Sequence, residues 1–195
     1  MRLAPTAAGV PRPARSALFI DRDGTINPDL HYLREAERIE LFLGVGNALR
    51  LAHAHGWLVI CVTNQSGVER GYYTVEDVDR IHVRVNELLA RQGASVDAFY
   101  YCPHAPEHGC PCRKPRTELF ERARRDWSID FGTSAILGDR VLDTEAGRQL
   151  GLLTARVRTP AQPPEVDREF EEHGVVADIT ADSVEGAVMR LLLRG

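Results

Sequence analysis

The stretch Ala17-Leu18-Phe19-Ile20-Asp21-Arg22-Asp23-Gly24-Thr25 decides how the rest of the chain is read. Four apolar residues in a row suit a strand buried on both faces, as in a parallel sheet. Two carboxylates follow at its carboxyl end, where open α/β sheets collect their ligands. The first acid can point into the crevice, and the second, two residues on, reaches the same space from the loop. Gly24 lets the backbone turn sharply after them. An acidic turn that merely caps the next element would look the same in isolation. Three further segments of matching chemistry downstream argue against that.

Outward from this strand the chain alternates between apolar runs and amphipathic stretches. Trp57–Thr63 reads as a second strand, preceded by a helix over Val45–His55 that Gly56 closes. Thr74 opens a long amphipathic helix that runs to Gln92, with acids in its first turn and Gly93 at its end. Asp97–Tyr101, Ser134–Gly138, Leu152–Val157 and Val175–Ile179 are the other strand candidates. Glu118–Trp127, Thr144–Leu150 and Ser183–Leu193 are the other helices, and Thr159–Pro164 is a Pro-rich loop too short to divide domains. Strands separated by helices need crossover connections. The expected fold class is therefore α/β: a doubly wound, mainly parallel Rossmann-like sheet with helices on both faces.

A chain of 195 residues with 44% hydrophobic content suits one domain with a sizeable core. Residues 1–16, rich in Ala and Pro, read as a flexible tail, leaving 17–195 as a single domain. A net charge of -4 argues against a nucleic-acid or membrane-surface binder, so an anionic substrate would need a local cluster of positive charge. No run approaches the ~20 apolar residues of a membrane span. The expectation is a cytoplasmic protein, monomeric or weakly oligomeric.

The second strand runs out into Thr63-Asn64-Gln65-Ser66-Gly67, a hydroxyl and two amides that can donate to phosphate oxygens. Arg70 follows in the next loop, where it either forks onto a phosphate or stands as a solvated charge. Arg113-Lys114-Pro115 places adjacent cations just before a helix, suited to neutralising a transferring phosphate. Ala135–Asp143 repeats the opening grammar: apolar strand, Gly138, Asp139 at the exit and Asp143 four residues on. Together these are acids for Mg²⁺, hydroxyl and amide donors, a lysine, and more acids. Mg²⁺ prefers oxygen ligands and keeps several waters, so few carboxylates suffice. Phosphoryl transfer then needs positioning, a nucleophile and a proton donor. Asp21 is placed as the nucleophile, forming an aspartyl-phosphate, and Asp23 as the acid that protonates the leaving oxygen and then activates water.

Between the second and last of these segments lie Cys102-Pro103-His104 and Cys110-Pro111-Cys112. Three thiols and an imidazole within eleven residues form a Cys3His set, which closes a structural Zn²⁺ site with no open position. A disulfide or inert thiols are the competing readings, the former disfavoured in a cytoplasmic protein. His108 is a spare or an alternative ligand. Cys61, mid-strand, reads as a core residue.

Asp21-x-Asp23, Thr63, Lys114 and Gly138-Asp139-x3-Asp143 together resemble the haloacid dehalogenase superfamily of phosphohydrolases, from Leu18 to the C-terminus. That resemblance implies a capless member, with a zinc-stapled loop in place of a cap domain. It further implies Mg²⁺ on the Asp21 carboxylate, the Asp23 carbonyl and Asp139, with Asp143 in support, and Thr63 and Lys114 on the phosphate. The second acid points to a phosphatase rather than a dehalogenase. Cys-Pro-His with Cys-x-Cys-Arg-Lys-Pro resembles the zinc-containing branch of the superfamily. Within that branch, the Thr-Asn-Gln-Ser-Gly and Arg-Gly-Tyr-Tyr-Thr segments are closer to the heptose-bisphosphate phosphatases than to the histidinol-phosphate phosphatases. The chain departs from that pattern at Leu43-Gly44, where Pro-Gly is usual, and at Thr117-Glu118-Leu119, where Pro-Gly-Met is usual. The implied substrate is a small phosphorylated sugar whose remote phosphate meets Arg70 or Arg113. A polynucleotide 3′-phosphatase and a non-enzymatic zinc module are the readings set against it.

Overall fold

The carboxyl ends of six parallel strands define one edge of the molecule, seen in a computed structural model that describes residues 13–159 and 162–194. The strands are Ala17–Ile20 (β1), Leu58–Asn64 (β2), Ala98–Cys102 (β3), Ala135–Gly138 (β4), Leu153–Val157 (β5) and Ile179–Ala181 (β6). Their order in the sheet is β3-β2-β1-β4-β5-β6. The chain builds outward from β1 to β3, then returns to the other side of β1 to start again at β4. That reversal opens a crevice between β1 and β4, where loops leave in opposite directions and ligands are bound in such sheets. The register pairs Leu18 with Ala135 and Ile20 with Leu137, so Asp21 and Asp139 leave their strands side by side.

Period-two alternation in the strands covers both faces of the sheet. Leu18, Ile20, Val59, Cys61 and Leu137 face Val45–Ala54 (α1), Val75–Ala90 (α2) and Val184–Leu192 (α6). Ala17, Phe19, Ile60, Val62 and Ile136 face Glu118–Trp127 (α3) and Val141–Leu150 (α4). Phe19 stacks edge-on against Phe120 of α3, with ring centroids 5.1 Å apart. Helix α2 starts with a capping box, Thr74 accepting from Asp77 N and Asp77 from Thr74 N.

Three elements differ from the sequence reading. Pro164–His173 is a helix (α5) that the acidic sequence PEVDREFEEH concealed. Its apolar stripe is only Val166 and Phe170, four residues apart, packed on Val141. Pro at the first turn and Gly174 in the left-handed conformation at its end were the available signals. The last strand lies at Ile179–Ala181 rather than Val175–Ile179, because Val175 packs under α5 while Val176 is 69% exposed. Helix α4 begins at Val141 rather than Thr144, which puts Asp143 in its first turn. Most of the expected N-terminal tail, residues 1–12, lies outside the described residues.

Helix α4 lies unusually close to the sheet at Gly147, where a Cβ would stand 2.4 Å from Ile136 Cγ2 and 2.7 Å from Thr154 Cγ2. Gly147→Ala should therefore lower stability by about 1–3 kcal/mol through overpacking. The check is urea unfolding: a lower midpoint at unchanged slope is expected, and parent-like stability would show that the contact has slack.

Candidate active site

Every group the sequence marked at a strand exit comes from β2, β1 or β4, on both sides of the crevice. Lys114 joins them from the loop between β3 and α3. Its ammonium, only 3% exposed, lies 2.9 Å from Asp21 Oδ1 and 2.6 Å from Asp143 Oδ1, and donates to the Val62 carbonyl at 2.7 Å. All three of its N–H groups are thus used, as a dehydrated cation requires. Asn64 fixes the lysine's backbone, accepting from Lys114 N at 3.0 Å and donating to Lys114 O at 3.3 Å.

Asp21, Asp139 and Asp143 each present a carboxylate oxygen, and these lie within 4.8 Å of one another. Burial pushes the Asp21 carboxyl up to about 6 against the pull of Lys114, and burial with its acidic neighbours raises Asp139 well above the usual carboxylate range. Asp23 stands outside this trio and is ion-paired with Arg22. Were all four carboxylates ionised, they would exceed the cations Arg22 and Lys114 by two negative charges, the deficit one divalent ion would fill. An all-oxygen donor set of this kind fits a hard ion such as Mg²⁺. The backbone has been shaped around it: at Gly24, φ +83°, a Cβ would fall 2.2 Å from Asp139 Oδ2.

Thr63, Asp21, Asp23, Arg113, Lys114 and Arg140 line a cavity of about 310 Å³ above these acids. Among the described residues no folded cap covers it. Between β1 and α1 the described chain forms only loops and a short 3-10 turn, and Tyr32 packs edge-on to Tyr72 at 4.6 Å near the mouth.

The placement of the expected substrate-binding residues is mixed. Arg113 lines the cavity and donates to the His104 carbonyl at 3.1 Å. Asn64 and Gln65 also border it, but their amides are engaged by the protein. Gln65 donates to Asp23 Oδ2 at 2.8 Å and Thr63 Oγ1 at 2.9 Å, and accepts from Tyr73 and Arg22. Arg70 is not among the cavity's lining residues and pairs with Glu107 at 3.4 Å on the surface. The cation found in its stead is Arg140, held at 2.9 Å by Glu169 of α5. Arg140 escaped the sequence reading because its partner helix did. Gln162, just before α5, was likewise missed; it donates to Asp139 Oδ2 at 3.3 Å. Arg22 carried no signal either, since an arginine between two aspartates reads as a surface charge.

The cysteine–histidine set converges as expected. The sulfurs of Cys102, Cys110 and Cys112 lie 3.2–3.4 Å apart, and His104 Nδ1 is 3.3 Å from Cys112 and 3.6 Å from Cys102. These spacings exceed the ~2.05 Å of a disulfide and suit four ligands around one centre. His108 is not in the set: its ring stacks on His104 at 4.2 Å and its Nδ1 meets Glu69 Oε1 at 2.6 Å.

The chain is similar to known proteins. A HAD-hydrolase-like family model matches residues 111–182. A Chlorobaculum tepidum protein named D-glycero-D-manno-heptose-1,7-bisphosphate 7-phosphatase is 34% identical over 189 residues, covering 90% of this chain and 94% of that protein. A Pseudomonas aeruginosa protein named D-glycero-beta-D-manno-heptose-1,7-bisphosphate 7-phosphatase is 37% identical over 148 residues, covering 75% and 83% respectively. The crystal structure of D,D-heptose 1,7-bisphosphate phosphatase from B. bronchiseptica, complexed with magnesium and phosphate, superposes with a TM-score of 0.81 at 26% identity, over 92% of this chain and 99% of that one. At these identities and coverages, this chain belongs to the heptose-1,7-bisphosphate 7-phosphatase family of haloacid dehalogenase-like hydrolases.

Proposed function

We propose that the chain, as one phosphatase domain over 17–195, removes the C7 phosphate of a D-glycero-D-manno-heptose 1,7-bisphosphate through an aspartyl-phosphate on Asp21. The observation that carries this is the Lys114 ammonium wedged between Asp21 and Asp143 at the switch point of the sheet. Its charge keeps a deeply buried Asp21 in the ionised form that can attack phosphorus. Asp23 supplies the proton to the sugar oxygen as it leaves and takes one from water in the second step. Thr63 Oγ1, an acceptor from Gln65, has its own O–H left for the phosphate. Asp21, Asp139, Asp143 and the Asp23 carbonyl would hold Mg²⁺, which supplies charge neutralisation at the transferring phosphate.

The remote phosphate is assigned to Arg113 and Arg140, the cations that line the cavity besides Arg22 and Lys114. Zn²⁺ on Cys102, His104, Cys110 and Cys112 would fix the loop that delivers Arg113 and Lys114. Thiols left unpaired fit a reducing, cytoplasmic setting.

Asp21→Asn should abolish turnover by several orders of magnitude while circular dichroism stays native; near-normal turnover would remove the nucleophile assignment. Arg140→Ala should lower kcat/KM for the bisphosphate by roughly ten- to a hundredfold, the equivalent of one charged hydrogen bond. A generic aryl phosphate should be nearly unaffected by it, and Arg70→Ala should change neither substrate. Equal losses on both substrates in Arg140→Ala would place the arginine outside the remote-phosphate site. Elemental analysis should find about one zinc per chain, and Cys110→Ala should lose it together with most of the activity. Full activity in zinc-free protein would separate the loop from catalysis.

A further inference from the structure

Arg22 is a fully buried cation, 1% exposed, and none of the roles assigned above uses it. Its guanidinium forks onto Asp23: Nε donates to Oδ1 at 3.1 Å and one terminal nitrogen to Oδ2 at 2.7 Å. Asn27 Nδ2 donates to Oδ1 at 3.1 Å and Gln65 Nε2 to Oδ2 at 2.8 Å. Each carboxylate oxygen therefore receives two donors, so all four of its lone-pair sites are filled. Two of the four donors come from Arg22, so the fork sets the plane of the carboxyl, and a single donor gives way when Asp23 gives or takes a proton.

A second tier holds the fork. The nitrogen that meets Oδ2 also donates to Gln65 Oε1 at 3.1 Å, and the other terminal nitrogen meets His82 Nε2 at 3.4 Å. His82 comes from α2 and lies flat on Phe99 of β3, ring centroids 4.3 Å apart and 13° from parallel. Burial and the nearby arginine push its pKa down to about 3, so it is neutral and offers a lone pair to Arg22. Tyr73 OH meets Gln65 Oε1 at 2.8 Å and keeps the amide from flipping. A buried, forked, doubly backed arginine is a rigid mount.

We propose that Arg22, backed by His82 and Gln65, is a positioning residue that mounts Asp23 and fixes the direction from which its carboxyl reaches the leaving oxygen. The proposal rests on the phosphatase reading above. Without the fork Asp23 keeps only the Asn27 and Gln65 amides, and its carboxyl samples many directions. Proton donation then suffers, most for a leaving group that cannot depart without a proton.

The test compares kcat/KM for the sugar bisphosphate, whose leaving group is a poor alkoxide, with kcat/KM for p-nitrophenyl phosphate, which leaves unprotonated. This ratio covers only the steps up to leaving-group departure. Arg22→Met should lower it on the order of tenfold or more for the bisphosphate and far less for the aryl ester. Arg22→Lys should recover part of the loss, and His82→Phe, which preserves the stacking, should give a smaller loss of the same selectivity. Because Asp23 is the group acted through, Arg22→Met should add little to Asp23→Asn. Equal losses on both esters, or a penalty undiminished in the Asp23→Asn background, would overturn the proposal. Should Arg22→Met not fold, Arg22→Lys and His82→Phe carry the same comparison. If Asp23→Asn alone leaves the bisphosphate rate intact, the phosphatase reading fails instead, whatever Arg22 does.

Discussion

The ammonium of Lys114 is the point through which the site is joined. It touches Asp21 after β1, the Val62 carbonyl of β2 and Asp143 in the first turn of α4. Three separate segments therefore meet on one buried charge. Desolvating an unpaired ammonium would cost several kcal/mol, so the charge is tolerated only where those oxygens are fixed. Asn64 gives the lysine's backbone both an acceptor and a donor, so β2 positions the residue at two places. The same contact that satisfies the lysine keeps the Asp21 carboxylate aimed and charged.

Because Lys114 arrives on a long connection, the loop before it must be held by means other than a sheet. Between Cys102 and Thr117 only a short 3-10 turn is regular. The cysteine–histidine set closes that segment on itself. Arg113 and Arg116 then donate to carbonyls of the loop, at His104 and Cys110. From the opposite side Glu69 accepts from Ala105 N and faces His108. A stapled loop in contact with the β2–α2 connection loses fewer degrees of freedom when substrate binds than a free loop would.

What the sequence disclosed follows from how far each signal acts. Strand β1 with Asp21 and Asp23, the apolar runs of β2 and β4 and the Cys-x-Cys pair are local patterns, and each stands where its pattern put it. Direction is not local. Asn64 and Gln65 were legible as polar groups at a strand end, yet their amides turn to Lys114 and Asp23, a matter of tertiary contact. Arg70 was legible as a loop cation, but Glu107, far along the chain, draws it to the surface. Helix α5 hid because two buried apolar residues in a run of acids make too weak a period. Arg140 and Gln162, which depend on its placement, went with it.

Electrostatics then decides what the cavity can receive. When ionised, its buried acids exceed its buried cations by two charges, and a phosphate dianion approaching that surplus would be repelled. Two features reverse the sign. A divalent ion among Asp21, Asp139 and Asp143 would bring the inner site to neutrality. Arg113 and Arg140 at the cavity wall, the latter partly offset by Glu169, would then add positive charge toward a ligand carrying phosphate at both ends. Arg22 contributes nothing to that field, because Asp23 cancels it at contact distance. An arginine so buried and so fully neutralised serves its neighbour's geometry rather than the substrate's charge.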